Sequence, residues 1–166
     1  MWTLLDASLI ATTLSCALTA GLLFGFAVVV MPGIATLADR EFLLAFKRMD
    51  AVIQNRHPLF MLVWVGSVVM VVLTLILGTL QLSGGARYLL WFASGLYLLG
   101  VQGPTARFNI PLNNAVQALA IEVLPEPALA QARERFEAPW HRWNRFRTLA
   151  AIATVVSLLI VQLLQR

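Results

Sequence analysis

Four long apolar runs without charged side chains constrain the fold of this 166-residue chain more than any other feature. A helix needs about 17–25 such residues to cross the hydrocarbon core of a bilayer. The runs occupy residues 9–31, 59–80, 88–105 and 148–164. Only 12% of the residues are charged, against about 25% in a soluble domain. The sequence therefore predicts one all-α domain over residues 1–166, an integral membrane four-helix bundle.

The first connection, residues 32–58, is predicted to hold an amphipathic helix with Asp39 as its N-cap. Lys47, Arg48 and Asp50 fall outside its apolar stripe. The stripe consists of Phe42, Phe46, Met49 and Ile53. Such a helix either lies on the lipid headgroups or forms a lid over one mouth of the bundle.

The third connection, residues 106–147, is too long for a structureless loop in a compact domain. Its prolines predict short helices over residues 111–123 and 128–137. Pro139 suits the first turn of a last helix that continues into the fourth run.

Basic residues are concentrated in these two connections, and such residues collect on the cytoplasmic side of a membrane. Only Arg87 and Arg166 lie on the other side. We therefore expect both long connections to be cytoplasmic and both termini to lie opposite, in a plasma or inner membrane. This orientation accounts for the net charge of +4 without a nucleic-acid partner. The ten basic residues of the two long connections are Arg40, Lys47, Arg48, Arg56, Arg107, Arg133, Arg135, Arg142, Arg145 and Arg147.

Small residues recur every fourth position in the first run, at Ala17, Gly21 and Gly25. Such a ladder lets a second helix approach closely in lipid, and it offers a face for a homo-oligomer. Met31, Pro32 and Gly33 are expected to end this span, because proline cannot continue the helical hydrogen bonds and glycine admits unusual dihedral angles.

The two histidines, His57 and His141, are both predicted to lie at the cytoplasmic end of the bundle. Polar groups at membrane depth are costly unless paired, so a cluster there is a site hypothesis. The competing interpretation is that these groups cap helices and bind headgroups, with Trp140 and Trp143 as interfacial anchors. The same layer holds Asn55, Arg107, Asn109, Asn113, Asn144 and Arg147.

Helical spacing divides the polar residues near the fourth run between two faces. We expect one face to carry His141, Asn144 and Thr148. The neighbouring face would carry Trp140, Trp143 and Arg147.

Several familiar sites are missing from the sequence, including the Walker loop, GxGxxG and GxSxG. The single Cys16 excludes a disulfide framework. An alternative is a membrane protein that binds a haem or an unidentified metal through His57 and His141. Asp50, Glu122 or Glu137 could add one metal ligand.

Four segments together resemble the anthrone oxygenase-like family of small four-span membrane proteins. They are residues 25–33 (GFAVVVMPG), 55–58 (NRHP), 109–113 (NIPLN) and 140–148 (WHRWNRFRT). The resemblance implies an oxygenase that acts on polycyclic phenolic anthrones and needs no known organic cofactor. A non-catalytic structural or interaction protein is the remaining alternative.

Chemistry of this type requires a base for an acidic C–H and donors for the oxyanion that forms. His57 or His141 is the expected base. Trp140 and Trp143 would form aromatic walls for a flat hydrophobic ligand, and Asn55 and Arg107 would bind it. The expected oxyanion donors are Asn109, Asn113, Asn144 and Arg147.

Overall fold

A computed structural model describes residues 3–165, and those residues form five helices and no strand. Three of the helices, α1, α3 and α5, are long and apolar enough to cross a membrane. They support an integral membrane protein, and they confirm the all-helical bundle. The helices are α1 (Leu4–Ile34), α2 (Asp39–Gln54), α3 (Pro58–Gln81), α4 (residues 84–117) and α5 (Glu126–Leu164).

The predicted third span, residues 88–105, lies inside α4, which is not among those three helices. A count of four spans therefore stays a prediction. Arg166, which closes the fourth apolar run, lies outside the described residues.

Prolines inside α1 and α4 coincide with π-helical turns. In α1 the π turn Phe26–Val30 precedes Pro32, and the helix continues to Ile34. In α4 Pro104 lies between two π segments, Leu96–Gln102 and Thr105–Asn109. Proline lacks an N–H and clashes with the carbonyl four residues earlier, and a wider turn accommodates both defects. The first helix ends at Ile34, one residue after the segment 31–33 that was expected to end the span.

The helix α5 runs unbroken through Pro139, so the predicted separate helix over residues 128–137 and the start at Pro139 were wrong. The carbonyl that Pro139 leaves without a donor belongs to Arg135, an exposed residue that solvent can reach.

Two smaller predictions in the connections also need correction. The helix expected over residues 111–123 is the final part of α4 and ends at Gln117. Asp39 is the first residue of α2, and Ala38 is its N-cap. Helix ends are the least constrained positions because caps and propensities compete there.

Buried hydroxyl groups connect the helices within the apolar core. Thr12 Oγ1 and Thr74 Oγ1 lie 2.7 Å apart and join α1 to α3. The Tyr97 hydroxyl on α4 contacts Ser67 and Thr19. The outer faces carry exposed leucines, such as Leu99 at 78% exposure, and lipid is the solvent that such faces match.

Among the glycines, the tightest packing is at Gly78 rather than on the predicted small-residue face. A methyl group on Gly78 would overlap the Leu90 side chain, whereas Gly21 and Gly25 have open space beside them. Within the described chain no helix packs closely on those two glycines, so association of two copies through that face stays a prediction.

The amphipathic helix α2 packs on the protein's own helices. Phe42, Leu43 and Phe46 are at most 1% exposed, and they lie in an apolar cluster with Phe136 and Trp140 of α5. Two arginines fix its N-terminal end: Arg40 donates to Leu124 O at 2.7 Å, and Arg133 pairs with Asp39. Of the two interpretations of this helix, its packing favours the lid.

Candidate functional site

A cavity of about 310 Å³ lies under α2, and all five helices contribute to its wall. Its size is at the lower end of the range for small-molecule pockets. Its apolar wall includes Phe26, Phe46, Phe60, Met61 and Trp64. Its polar wall includes Asp50, Thr105, Asn109, Asn113, Asn144 and Arg147.

The α5 side of the cavity is built by Trp140, Asn144 and Arg147, which are each at most 4% exposed. Spacings of four and three place these side chains on one helix face. The predicted division of this region was therefore wrong, because Asn144 shares its inward face with Trp140 and Arg147. His141 and Trp143 are only half-buried.

Arg147 is a buried cation without an anion. Its Nη1 donates to Thr105 Oγ1 at 2.8 Å and its Nη2 to Asn144 Oδ1 at 2.9 Å. The Nε atom has no partner, and no acid within residues 3–165 forms an ion pair with the guanidinium. A buried charge of this kind is expensive, so the position favours a ligand that carries an oxyanion.

Asn109 lies beside this cation with both of its side-chain amide atoms buried and unpartnered. It is 2% exposed and ends the π turn Thr105–Asn109. Residues four apart share a helix face, and Thr105 and Asn109 both line the cavity. Buried amides almost always have partners, and the unused donor and acceptor here can serve a bound molecule.

Asp50 is a cavity residue that the sequence reasoning placed outside the buried stripe. It is 3% exposed and accepts hydrogen bonds from Asn113 Nδ2 at 2.7 Å, Gln117 Nε2 at 2.8 Å and Gln54 Nε2 at 3.2 Å. Its position four residues after Phe46 puts it on the inward face of α2. That spacing was the available signal for its burial.

Asn113 connects the carboxylate of Asp50 to the indole of Trp140. Its Nδ2 donates to Asp50, and its Oδ1 accepts from Trp140 Nε1 at 2.9 Å. Both ends of the amide are thereby engaged by protein. Trp140 is further held by Phe46, with ring centroids 5.7 Å apart in an edge-on arrangement.

The comparisons with known proteins identify the family. The family model described as anthrone oxygenase matches residues 51–157. The chain belongs to the anthrone oxygenase family. No curated protein and no solved structure matches it. The matched region contains α3, α4 and the cavity residues of α5, whereas Asp50 lies one position before it.

In this member of the anthrone oxygenase family, five of the predicted site residues do not line the cavity. His57 is the exposed N-cap of α3, and His141 lies 3.8 Å from the Glu137 carboxylate. Asn55 and Arg107 are exposed, and Trp143 stacks on Phe108 with centroids 3.7 Å apart.

A neighbour of the predicted residues, Arg56, lines the cavity mouth with a left-handed φ of 57°. This φ belongs to the end of α2, because Arg56 follows the C-cap Asn55 in a Schellman motif, with Arg56 N donating to Ile53 O and His57 N to Val52 O. Within residues 3–165 no group of three or more His, Cys, Asp or Glu side chains has the arrangement of a metal site.

Proposed function

We propose that this protein is a membrane oxygenase that converts an anthrone, or a similar flat phenolic molecule, into a quinone with dioxygen. The observation that carries the proposal is the buried Arg147, which has no anion, beside the unpartnered Asn109 in an aromatic-walled cavity. The family membership supports the same chemistry.

The reaction needs stabilisation of negative charge on a carbonyl oxygen. Loss of a proton from the acidic CH₂ group of an anthrone leaves the electron pair delocalised onto that oxygen as an enolate. Arg147 and Asn109 can donate hydrogen bonds to it in a site that excludes most water, where such donors act most strongly. The aromatic wall, with Phe26, Phe46 and Trp64, suits the ring system.

Dioxygen is the oxidant in this proposal. The enolate carbon bonds to dioxygen, and protonation gives a hydroperoxide on that carbon. Loss of the remaining C–H proton and cleavage of the O–O bond then form the second carbonyl and release water. One anthrone and one dioxygen give one anthraquinone and one water, so one oxygen atom enters the product.

The location of the cavity also belongs to this proposal. The basic connections favour a cytoplasmic position for the end that α2 covers. A hydrophobic substrate would reach it from the bilayer or its cytoplasmic surface. The face with Ala17, Gly21 and Gly25 is available for association of two copies in the membrane.

The direct test uses the full chain in lipid nanodiscs supplied with an anthrone under ¹⁸O₂. Anthraquinone formation is followed by its visible absorbance and by mass spectrometry. We expect formation faster than spontaneous autoxidation in empty nanodiscs, with one ¹⁸O atom per quinone. The Arg147→Met variant should lose most of this acceleration. A wild-type rate equal to that of empty nanodiscs would overturn the proposal.

A further inference from the structure

We propose that the Asp50 carboxylate is the group that removes the substrate's proton. This inference rests on the proposed function and adds the base that the reaction requires. Asp50 is the one acidic residue among the described residues that line the cavity, and it is 3% exposed.

The surroundings of Asp50 leave its charge without a cation. Its three hydrogen-bond donors are the neutral amides of Asn113, Gln117 and Gln54. Across residues 3–165 no basic side chain forms an ion pair with it. The cavity wall therefore holds one carboxylate, Asp50, and two guanidinium groups, of which Arg147 is buried and Arg56 is exposed. Neither arginine pairs with Asp50.

The helix register places the charges of Asp50 and Arg147 at different depths. Asn113 connects Asp50 to the level of Trp140 on α5. The backbone of Arg147 follows that of Trp140 by two helical turns, which is roughly 10 Å along the axis at 1.5 Å per residue, and the guanidinium donates to Asn144 one turn earlier. Asn144 occupies the intermediate turn on the same buried face.

An anthrone also has two reacting positions that lie apart. Its acidic carbon and its carbonyl oxygen lie on opposite sides of the central ring. A substrate held between the two groups points its CH₂ toward Asp50 and its oxygen toward Arg147 and Asn109. Proton removal and oxyanion stabilisation then occur at opposite ends of one bound molecule.

In this reaction the Asp50 carboxylate removes a proton from the substrate carbon twice. The carboxylate first takes one proton from the CH₂ group, and the bonding pair stays on the substrate as the enolate. After the enolate carbon adds dioxygen, the carboxylic acid returns that proton to the peroxide oxygen. The regenerated carboxylate removes the second C–H proton as the O–O bond breaks, and the proton leaves with hydroxide as water.

The test separates proton removal from oxidation. An anthrone deuterated at its CH₂ group is bound anaerobically to the full chain in nanodiscs, and the loss of deuterium to water is followed by mass spectrometry. We expect wild type to accelerate this exchange, and Asp50→Asn to slow it by about 100-fold or more, the usual contribution of a general base. The matched control is Glu41→Gln, since Glu41 is an exposed acid on the same helix and lies outside the cavity wall.

Thermal unfolding and quenching of tryptophan fluorescence by anthraquinone show whether Asp50→Asn folds and binds. If it does not fold, Asp50→Glu replaces it, because that variant keeps the charge and moves the carboxylate by one methylene. We then expect at least a tenfold slower exchange with normal quinone binding.

The outcomes distinguish the two proposals. Exchange that is lost in the folded Asp50 variant and kept in Glu41→Gln supports the assignment. Equal exchange in wild type and the Asp50 variant overturns the role of Asp50 and leaves the proposed function in place. Exchange by wild type without quinone formation in air overturns the oxygenase function alone. Absence of both activities overturns both proposals.

Discussion

Arg147 donates from Nη2 to Asn144 Oδ1 at 2.9 Å, one turn earlier on the same helix. Asn144 in turn donates from Nδ2 to Leu23 O at 3.1 Å. The guanidinium is thus held in place by neutral groups, and no carboxylate in the described part of the chain offsets its charge. Such an arrangement costs folding free energy and keeps the cation available to a ligand.

Arg147→Met should therefore separate stability from activity. The substitution removes a buried, unpaired charge and keeps an apolar side chain, so the midpoint of thermal unfolding should stay unchanged or rise. Turnover of an anthrone should fall by about 100-fold, as when an oxyanion donor is lost. Arg142→Met, at an exposed position on the same helix, is the control. A large fall in the unfolding midpoint of Arg147→Met would contradict this reasoning.

Single replacement of His57 or His141 by alanine should leave turnover within about twofold of wild type, since neither residue lines the cavity and surface substitutions have small effects. The measurement is the initial rate of quinone formation in nanodiscs. Loss of turnover in a folded histidine variant, together with an active Asp50→Asn, would assign the base to that histidine.

The helices of this fold could be predicted because a bilayer leaves the backbone few alternatives. The inward faces were harder to predict. Helices such as α3 are apolar on all sides, so their periodicity carries little information. In α4 the four-residue spacing of Asn109 and Asn113 gives their shared face, but it does not show that this face turns toward the cavity.

The site residues were predicted from their depth in the membrane. Depth alone does not tell whether a side chain points into the bundle or away from it. His57 and Asp50 both belong to the first connection, at the same end of the bundle. His57 is the exposed N-cap of α3, whereas Asp50 faces inward from α2. The predicted cluster of Asn109, Asn144 and Arg147 does line one cavity. Their partners could not be predicted, because they depend on how three helices pack.

Gly78 and Gly66 on α3 provide a matched pair for testing the packing of the bundle. A methyl group on Gly78 would overlap Leu90 of α4, whereas a methyl group on Gly66 meets nothing within 4 Å. Gly78→Ala should lower the free energy of unfolding by about 1–3 kcal/mol through overpacking. Gly66→Ala should be neutral or stabilising by up to about 1 kcal/mol, because alanine favours helix. Denaturation in detergent with circular dichroism measures both, and equal effects would contradict the close approach of α3 and α4.

Arg133 holds the loop before α2 against α5, and its replacement should loosen the lid. Its guanidinium donates to Ala35 O at 2.8 Å and Leu37 O at 2.9 Å, pairs with Asp39, and lies 4.3 Å from the Phe42 ring centroid. Arg133→Gln leaves the partly buried Ala35 O and Asp39 carboxylate without their donor, so the unfolding free energy should fall by about 2 kcal/mol.

The loss of Arg133 should also reach the cavity, because α2 carries Asp50. We expect faster proteolysis between α1 and α2 and slower anaerobic deuterium exchange from a bound anthrone in Arg133→Gln. Arg135→Gln is the matched control, since Arg135 is exposed on the same helix and should behave as wild type. If both variants unfold and exchange alike, Arg133 does not fix the position of α2, and another contact must hold Asp50 at the cavity.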